Sequence, residues 1–331
     1  MVQLALLITK RHRLLSVAAI LDVFESVNRF YQAQGESSFF DIKLFTLAPE
    51  STGQTFGSYE LYPVETSEKQ DLILIPAFAS DITEIAVGEN IQFIPWLQQQ
   101  YQNGAEIASF CTGAFLLAAT GLLNGKSATT HVNARSAFAA SFPAVRLYGD
   151  AIVTDEDRIY TSGGATSSFH LMLHLLKIYC GREVVLHIAK LFAIDMDREQ
   201  QAYFGTFQPP QNHGDNLVTM AQKKIEDAYQ ESSTIEEMIQ DIPASRRNVV
   251  RRFKLATGVT PIEYLQKTRI EAAKKLLEFT DQSVLEVMLN SGYNDLKAFR
   301  QLFKKSAGMT PKSYREKFNV GRMEGIAFAA K

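Results

Sequence analysis

Along residues 1–200, compact apolar runs take turns with longer stretches in which apolar side chains recur every three or four positions. The runs at 4–8, 42–46, 72–76 and 106–110 are short and bounded by turn-forming or polar residues, so they are predicted strands. The stretches 16–30, 91–103, 112–122 and 167–179 carry the helical period and are predicted helices. Strands spaced by helices imply a mostly parallel, doubly wound α/β sheet. Sheets of this kind hold ligands beyond the carboxyl ends of their strands.

After residue 216 the pattern becomes helical only, and it repeats. Shifting residues 234–267 by 50 positions pairs Glu236 with Glu286, Met238 with Met288, Phe253 with Phe303 and Lys254 with Lys304. Gly258/Gly308, Thr260/Thr310, Pro261/Pro311, Tyr264/Tyr314 and Lys267/Lys317 follow, which makes nine identities in 34 positions without a gap. A duplicated unit is the expectation. In each copy a short helix presents an apolar face: Ile235, Met238 and Ile239 in one, Leu285, Met288 and Leu289 in the other. A tight turn leads to a second helix with two apolar anchors, Val249 and Phe253 or Phe299 and Phe303. Gly258 and Gly308 suit a left-handed helix end. Thr-Pro at 260–261 and 310–311 suits a helix start. A helix over about 262–279 joins the copies.

Composition sharpens this division. The 331 residues hold 34 Lys+Arg and 36 Asp+Glu, a net charge of −2. Residues 1–216 carry 14 basic and 22 acidic side chains, whereas residues 217–331 carry 20 and 14. An acidic body with a basic tail points to nucleic-acid contact by the tail. Residues 207–216 contain two prolines, a glycine and little apolar content, and read as a linker. The expected organisation is therefore 1–206, a linker 207–216, a helical domain 217–318 and a tail 319–331. Two cysteines, Cys111 and Cys180, exclude a disulfide framework. The apolar start precedes its charges, the reverse of a signal peptide, and no run approaches membrane-spanning length. A cytoplasmic location without membrane contact follows as the expectation.

Two helices joined by a tight turn, the second with a polar outer face, make a helix-turn-helix. The outer face of the first copy carries Arg246, Arg247, Asn248, Arg251 and Arg252, and that of the second Asn294, Lys297, Arg300, Gln301 and Lys304. These side chains match base edges and phosphates. The stretch from Arg252 through Thr257-Gly258-Val259-Thr260-Pro261 to Arg269, and that from Gly292-Tyr293 through Gly308-Met309-Thr310-Pro311 to Arg315, resemble the AraC-type DNA-binding domain. The resemblance implies two recognition helices in successive major-groove segments of double-stranded DNA, about 34 Å apart. It assigns base reading to Arg247, Val250, Arg251, Lys297, Arg300 and Gln301, and helix capping to Ser245 and Asn294. Thr260 and Thr310 would hold phosphates at helix starts.

In the first half, the predicted strand 106–110 runs directly into Cys111-Thr112-Gly113 and a helix. A strand, a nucleophile-type residue and an immediate helix form a nucleophile elbow, and a helix start lowers a thiol pKa. His131 follows a short strand-like segment, so Cys111 and His131 are a candidate nucleophile and base. The runs 109–118, 121–125, 128–131 and 160–166 resemble the DJ-1/PfpI superfamily, the class I glutamine-amidotransferase-like proteins, of flavodoxin-like α/β fold. Joined to an AraC-type tail, this resembles the GlxA-like group of transcription regulators.

Departures from the catalytic pattern bear on chemistry. Ser16 stands where relatives carry an acid, and residues 76–80 lack the usual glycine-rich turn, with Phe78 filling space. His170 replaces a common acidic residue. The pocket expected from the resemblance comprises Ser16, Phe78, Cys111, Thr112, Gly113, His131, Gly163, Gly164, Thr166 and His170. Amides at the Thr112 and Thr166 helix starts suit an anion. His170 and His174 stand one helical turn apart, but two ligands do not make a zinc site, and a structural role is expected. Trp96 is expected to anchor a surface helix. The resulting expectation is a non-catalytic regulator without cofactor or metal, dimeric through its N-terminal domain. It senses a small effector, an amino acid or related nitrogen compound. The alternatives are a Cys-dependent amidase or hydratase and a redox sensor working through Cys111, either with a DNA-binding tail.

Overall fold

The computed structural model describes residues 1–47, 54–64, 68–79, 83–164, 166–196, 207, 213–231 and 234–319. Ser80, Ala165, residues 208–212 of the expected linker and the tail beyond Asn319 lie outside the described residues. The chain divides into two compact units, Met1–Gln201 and Ala202–Lys331.

The first unit runs β1 (Val2–Leu7), α1 (Leu14–Ala33), β2 (Phe40–Thr46), β3 (Thr55–Phe56), β4 (Tyr59–Pro63), β5 (Leu72–Ile75), α2 (Thr83–Glu89), α3 (Phe93–Gln102) and β6 (Glu106–Ser109). A 3-10 turn at Cys111–Gly113 leads into α4 (Ala114–Ala119), followed by β7 (Ser127–Ala128), a 3-10 turn at Val132–Ala134 and α5 (Arg135–Ser141). Then come β8 (Arg146–Leu147), β9 (Val153–Glu156), β10 (Ile159–Ser162), α6 (Ser167–Tyr179) and α7 (Arg182–Leu191). Eight strands form one sheet in the order β3-β4-β2-β1-β5-β6-β10-β9. The central pairs are parallel, and β3 and β9 are antiparallel edges. This is the doubly wound α/β fold.

Alternation along β1 builds the layers. Leu4 and Leu6 join a core with Val17, Phe24, Leu171 and Leu175 from α1 and α6. Ala5 and Leu7 point the other way, into a core with Phe93, Leu97, Phe115 and Leu116 from α3 and α4. Trp96 packs on this second face, its ring 5.7 Å from that of Phe45. The helix expected over 112–122 is shorter than its apolar pattern. It begins as a 3-10 turn and stops at Ala119, where Gly121 turns the chain with a φ of 77°.

The second unit is entirely helical among its described residues: α8 (Asn216–Ala228), α9 (Ile235–Ile239), α10 (Arg246–Thr257), α11 (Pro261–Phe279), α12 (Val284–Asn290), α13 (Leu296–Ala307) and α14 (Pro311–Phe318). It has two small cores. Val218, Ile225, Met238, Val249 and Phe253 pack with Tyr264 and Leu265. Val287, Met288, Phe299, Phe303 and Tyr314 pack with Ile270 and Leu277. The long helix α11 supplies both. The end of the expected linker belongs here, since Asp215 caps α8 and both its carboxylate oxygens accept from Arg252 at 2.8 Å.

The ungapped repeat needs one correction. Thr234 and Ser283 cap α9 and α12 through capping boxes with Glu237 and Glu286, an offset of 49. Ser245 and Asp295 cap α10 and α13, an offset of 50. Between caps the second copy is one residue longer. Leu285 and Leu289 therefore align with Glu236 and Gln240 and face outward, 52% and 53% exposed. The buried face of α12 is built from Val287 and Met288 instead.

Candidate functional site

At the carboxyl end of β6 the backbone turns sharply. Cys111 adopts a φ of 56°, a left-handed conformation that costs a non-glycine residue about 1–2 kcal/mol. The turn is held from below. Cys111 N–H donates to Ser162 Oγ at 3.3 Å, and its carbonyl accepts from Thr130 Oγ1 at 3.0 Å. Gly113 is required here, because a Cβ would lie 2.6 Å from Pro76 O and 2.8 Å from Ile75 O.

The neighbouring turn at residues 76–78 is clamped onto the elbow. Thr112 Oγ1 donates to Phe78 O at 2.7 Å and accepts from Phe78 N–H at 2.9 Å. Ser16 Oγ accepts from Ala77 N–H at 3.0 Å. Arg13 closes the arrangement, its N–H on Ala77 O at 2.7 Å and its Nε on Phe78 O at 3.2 Å. The amides of Ala77, Phe78 and Cys111 are thus all engaged within the fold. The Ala77 and Phe78 amides of the neighbouring loop are therefore not free to serve an anion-stabilising hole, while the Thr112 N–H bears on the Cys111 thiol.

Electrostatics follow from burial. Cys111 is 3% exposed, and desolvation pushes its thiol up to about 11, against the smaller opposing pull of Thr112 and Arg13. The helix-start depression expected from sequence is overridden, because a 3-10 turn of three residues in an apolar surround cannot compensate for lost hydration. His131 is held below its ordinary value by burial first and then by Arg13 and Arg135. Its Nδ1 accepts from Asn133 N–H at 3.1 Å. Among the described residues no hydrogen bond joins Cys111 to His131.

The elbow therefore gathers Ser16, Cys111, Thr112 and Gly113, with Gly163 one residue beyond Ser162. The Phe78 ring does not line an opening as expected from sequence. It is wholly buried in the core beside Phe93, and only its backbone reaches Thr112. Gly163 N–H is bonded to Ile152 O, and Gly164 O accepts from Ser167 N–H at the start of α6, where Thr166 is the preceding residue. His170 bonds the Thr166 and Asp195 carbonyls, and His174 bonds Asp155. These contacts fasten α6 to its neighbours. Arg13 and Ser162 were not singled out by sequence. Arg13 lies 98 positions from Cys111, and no local motif marks it.

The second unit presents two recognition-type helices. Ser245 Oγ caps α10 by accepting from Asn248 N–H. Val249 and Phe253 are buried, Val250 is half-buried, and Arg246, Arg247 and Arg251 are exposed. Arg246 pairs with Glu236, and Arg251 donates to Asn248 at 3.3 Å. Arg252, read from sequence as part of the outer face, is instead forked onto Asp215. On α13, Lys297, Arg300, Gln301 and Lys304 are exposed over buried Phe299 and Phe303. Asn294 is exposed but is not the cap. Asp295 caps α13, accepting from Lys297 and Ala298 N–H at 2.8 and 2.9 Å. Thr260 is engaged by Glu263, whose carboxylate occupies that helix start and opposes a phosphate there. Thr310 has Ser313 in the corresponding position.

The fold and site define the class: an α/β domain with an elbow-type loop, followed by a duplicated helix-turn-helix. Residues 57–178 match the DJ-1/PfpI family, and residues 240–317 match a helix-turn-helix domain. The chain carries a DJ-1/PfpI domain joined to an AraC-type helix-turn-helix domain. It is 27% identical over 239 residues to the HTH-type transcriptional regulator GbdR of Pseudomonas aeruginosa, covering 70% of this chain and 63% of that protein. The match thus spans just under two thirds of that relative's length. It is also 27% identical over 254 residues to the HTH-type transcriptional regulator CdhR of Pseudomonas aeruginosa, covering 76% of this chain and 74% of that one. Among solved structures, an AraC family transcriptional regulator from Pseudomonas putida aligns with a TM-score of 0.48 at 14% identity, over 58% of this chain and 100% of that one.

Proposed function

We propose that this protein is a sequence-specific DNA-binding transcription regulator whose α/β domain senses a small anionic metabolite. The observation that carries the DNA-binding reading is the pair of capped helices α10 and α13, each with buried anchors beneath exposed Arg, Lys or Gln side chains. Base readers are Arg247, Val250, Arg251, Lys297, Arg300 and Gln301. Arg246, Asn248 and Asn294 lie beside them, and Ser245 orients the first helix. The relatives are transcriptional regulators by name, in keeping with this reading.

The sensing role rests on the basic side chains around the elbow. Arg13 is fastened to the Ala77 and Phe78 carbonyls beside Cys111, and both Arg13 and Arg135 bear on His131, Arg135 being itself paired with Asp150 at 2.6 Å. Arg13 beside the elbow supports an anionic effector, and the carboxylate of an amino acid or a related nitrogen compound fits it. The engaged amides and the protonated Cys111 thiol support a non-catalytic role. They also weigh against redox sensing, which needs an accessible thiolate. The protein works in the cytoplasm as a dimer joined through residues 1–206, placing two copies of 217–318 on repeated half-sites. No helix among the described residues is long and apolar enough to cross a membrane.

An effector acts by binding the DNA-competent arrangement more tightly than the alternative. The test is to measure affinity for a selected DNA site at fixed salt while titrating anionic metabolites, beside Arg13→Gln. An anion that changes affinity in the parent, with a response lost in Arg13→Gln, is expected. Binding of an anion with no change in DNA affinity would refute the switching role.

A further inference from the structure

The helical unit holds two separate cores, and α11 runs through both. Tyr264 and Leu265 belong to the first, and Ile270, Ala273 and Leu277 to the second. α10 buries Val249 and Phe253 in the first core, and α13 buries Phe299 and Phe303 in the second. The placement of one recognition helix relative to the other therefore depends on what braces α11 where it passes between the cores.

Arg269 stands at that passage, half-buried, and joins three elements. Its Nε donates to Tyr229 O at 2.7 Å and its Nη2 to Glu231 O at 2.8 Å, just beyond the end of α8. Carbonyls at a helix end lack partners within the helix, and a cation is favoured there. The guanidinium carbon also stands over the ring of Tyr293, 5.6 Å from its centre. Tyr293 belongs to the turn between α12 and α13, and its hydroxyl donates to Gln266 O at 3.4 Å. Next to it, a Cβ on Gly292 would run into Tyr229 O and lie 2.8 Å from Arg269 Nε. The turn of the second copy is thus seated on the chain leaving α8 of the first.

The repeat separates a local role from one between copies. Asn319 occupies the position 50 residues after Arg269, and its amide donates to the Leu277 and Thr280 carbonyls at the end of α11. A neutral amide therefore suffices to tie a closing helix to the helix end before it. What arginine adds at 269 is a planar face, and that face meets Tyr293 of the other copy.

We propose that Arg269, seated on Gly292 and Tyr293, is the positioning residue that fixes α13 relative to α10, so that the spacing between the two DNA segments the protein accepts is set at this contact. The proposal rests on the DNA-binding reading above. Holding the second helix in place makes its binding intramolecular at high effective concentration, which is lost if the helix wanders.

The test uses the full-length protein with Cys111 and Cys180 replaced by alanine and spin labels at Leu255→Cys and Lys305→Cys, exposed positions that correspond on α10 and α13. Electron–electron distance measurement should give one narrow distance in the parent and a distribution about two-fold broader in Arg269→Gln, because an amide cannot bond both carbonyls and stack on the ring. Arg269→Lys, which keeps the charge without the plane, should broaden it too. Tyr293→Leu should do so with Arg269 intact, so the test survives if one variant fails to fold. Unchanged widths would overturn the proposal. On DNA, one base pair inserted between the two segments shifts them by about 3.4 Å and turns them by about 35°. The parent should prefer the selected spacing about ten-fold, and Arg269→Gln should reduce that preference to about two-fold. Equal losses on both sites would leave Arg269 a purely stabilising role and overturn the proposal. A parent without any site preference would fail the DNA-binding reading, and the label distances, which need no DNA, would still decide this one.

Discussion

The thiol of Cys111 should be nearly inert, and the size of the effect follows from its surroundings. With its pKa pushed up to about 11, about one thiol in 3000 is ionised at pH 7.5, against about one in 11 for an ordinary cysteine near 8.5. Alkylation by iodoacetamide should therefore run at least about 300-fold slower than in the unfolded chain, because the thiolate is the nucleophile and burial slows access further. Cys180 is also pushed up, to about 12, so site-resolved mass spectrometry on native and denatured samples separates the two. The rate at Cys111 should keep climbing tenfold per pH unit through pH 9–10 rather than level off. The same shift links to stability. The unfolded thiol ionises first, so this contribution is complete below about pH 8.5 and is lost as pH rises toward 11. Native labelling within ten-fold of the denatured rate would refute the argument and return Cys111 to the list of nucleophiles.

Three further outcomes follow from the geometry. Gly113→Ala forces a Cβ onto two backbone oxygens and should cost about 2 kcal/mol, lowering the melting temperature of the first unit by roughly 5 °C, whereas Gly88→Ala, with nothing within 4 Å, should not lower it. Asp295→Ala should destabilise the second unit by about 1 kcal/mol in chemical denaturation and Asn294→Ala by less than about 0.5, because Asp295 holds the helix amides. The folded site disfavours protonated His131, so its effect on stability is absent well above about pH 6.5, and stability falls as pH drops below that value. His131→Gln should flatten this limb in melts between pH 5 and 8.

The central strands were legible because buried parallel strands read as continuous apolar runs, and Leu72–Ile75 is entirely buried. The edges were not. Thr55–Phe56 is too short to carry a period, and β9 turns into β10 through Asp157 and Arg158, both at positive φ, without the Asn-Gly signal of such a hairpin. The elbow was visible as a strand meeting a helix start, but the burial that decides the Cys111 thiol was not. Ser16 looked like a missing acid, and in the fold it is the acceptor that occupies the Ala77 amide. The repeat was plain, yet Glu236/Glu286 and Met238/Met288 are coincidental identities in the wrong register. The capping boxes at Thr234–Glu237 and Ser283–Glu286 held the correct register, and a search for that signature would have found it.

The regulator reading is tested most directly by genome-wide occupancy of the intact protein beside Arg251→Ala and Arg300→Ala. These substitutions remove one exposed side chain from α10 and one from α13 without touching either core. Discrete sites built from repeated half-sites are expected, weakened in each variant by about 1–3 kcal/mol of specific binding. Occupancy without sequence preference, or sites bound equally by parent and variants, would contradict it.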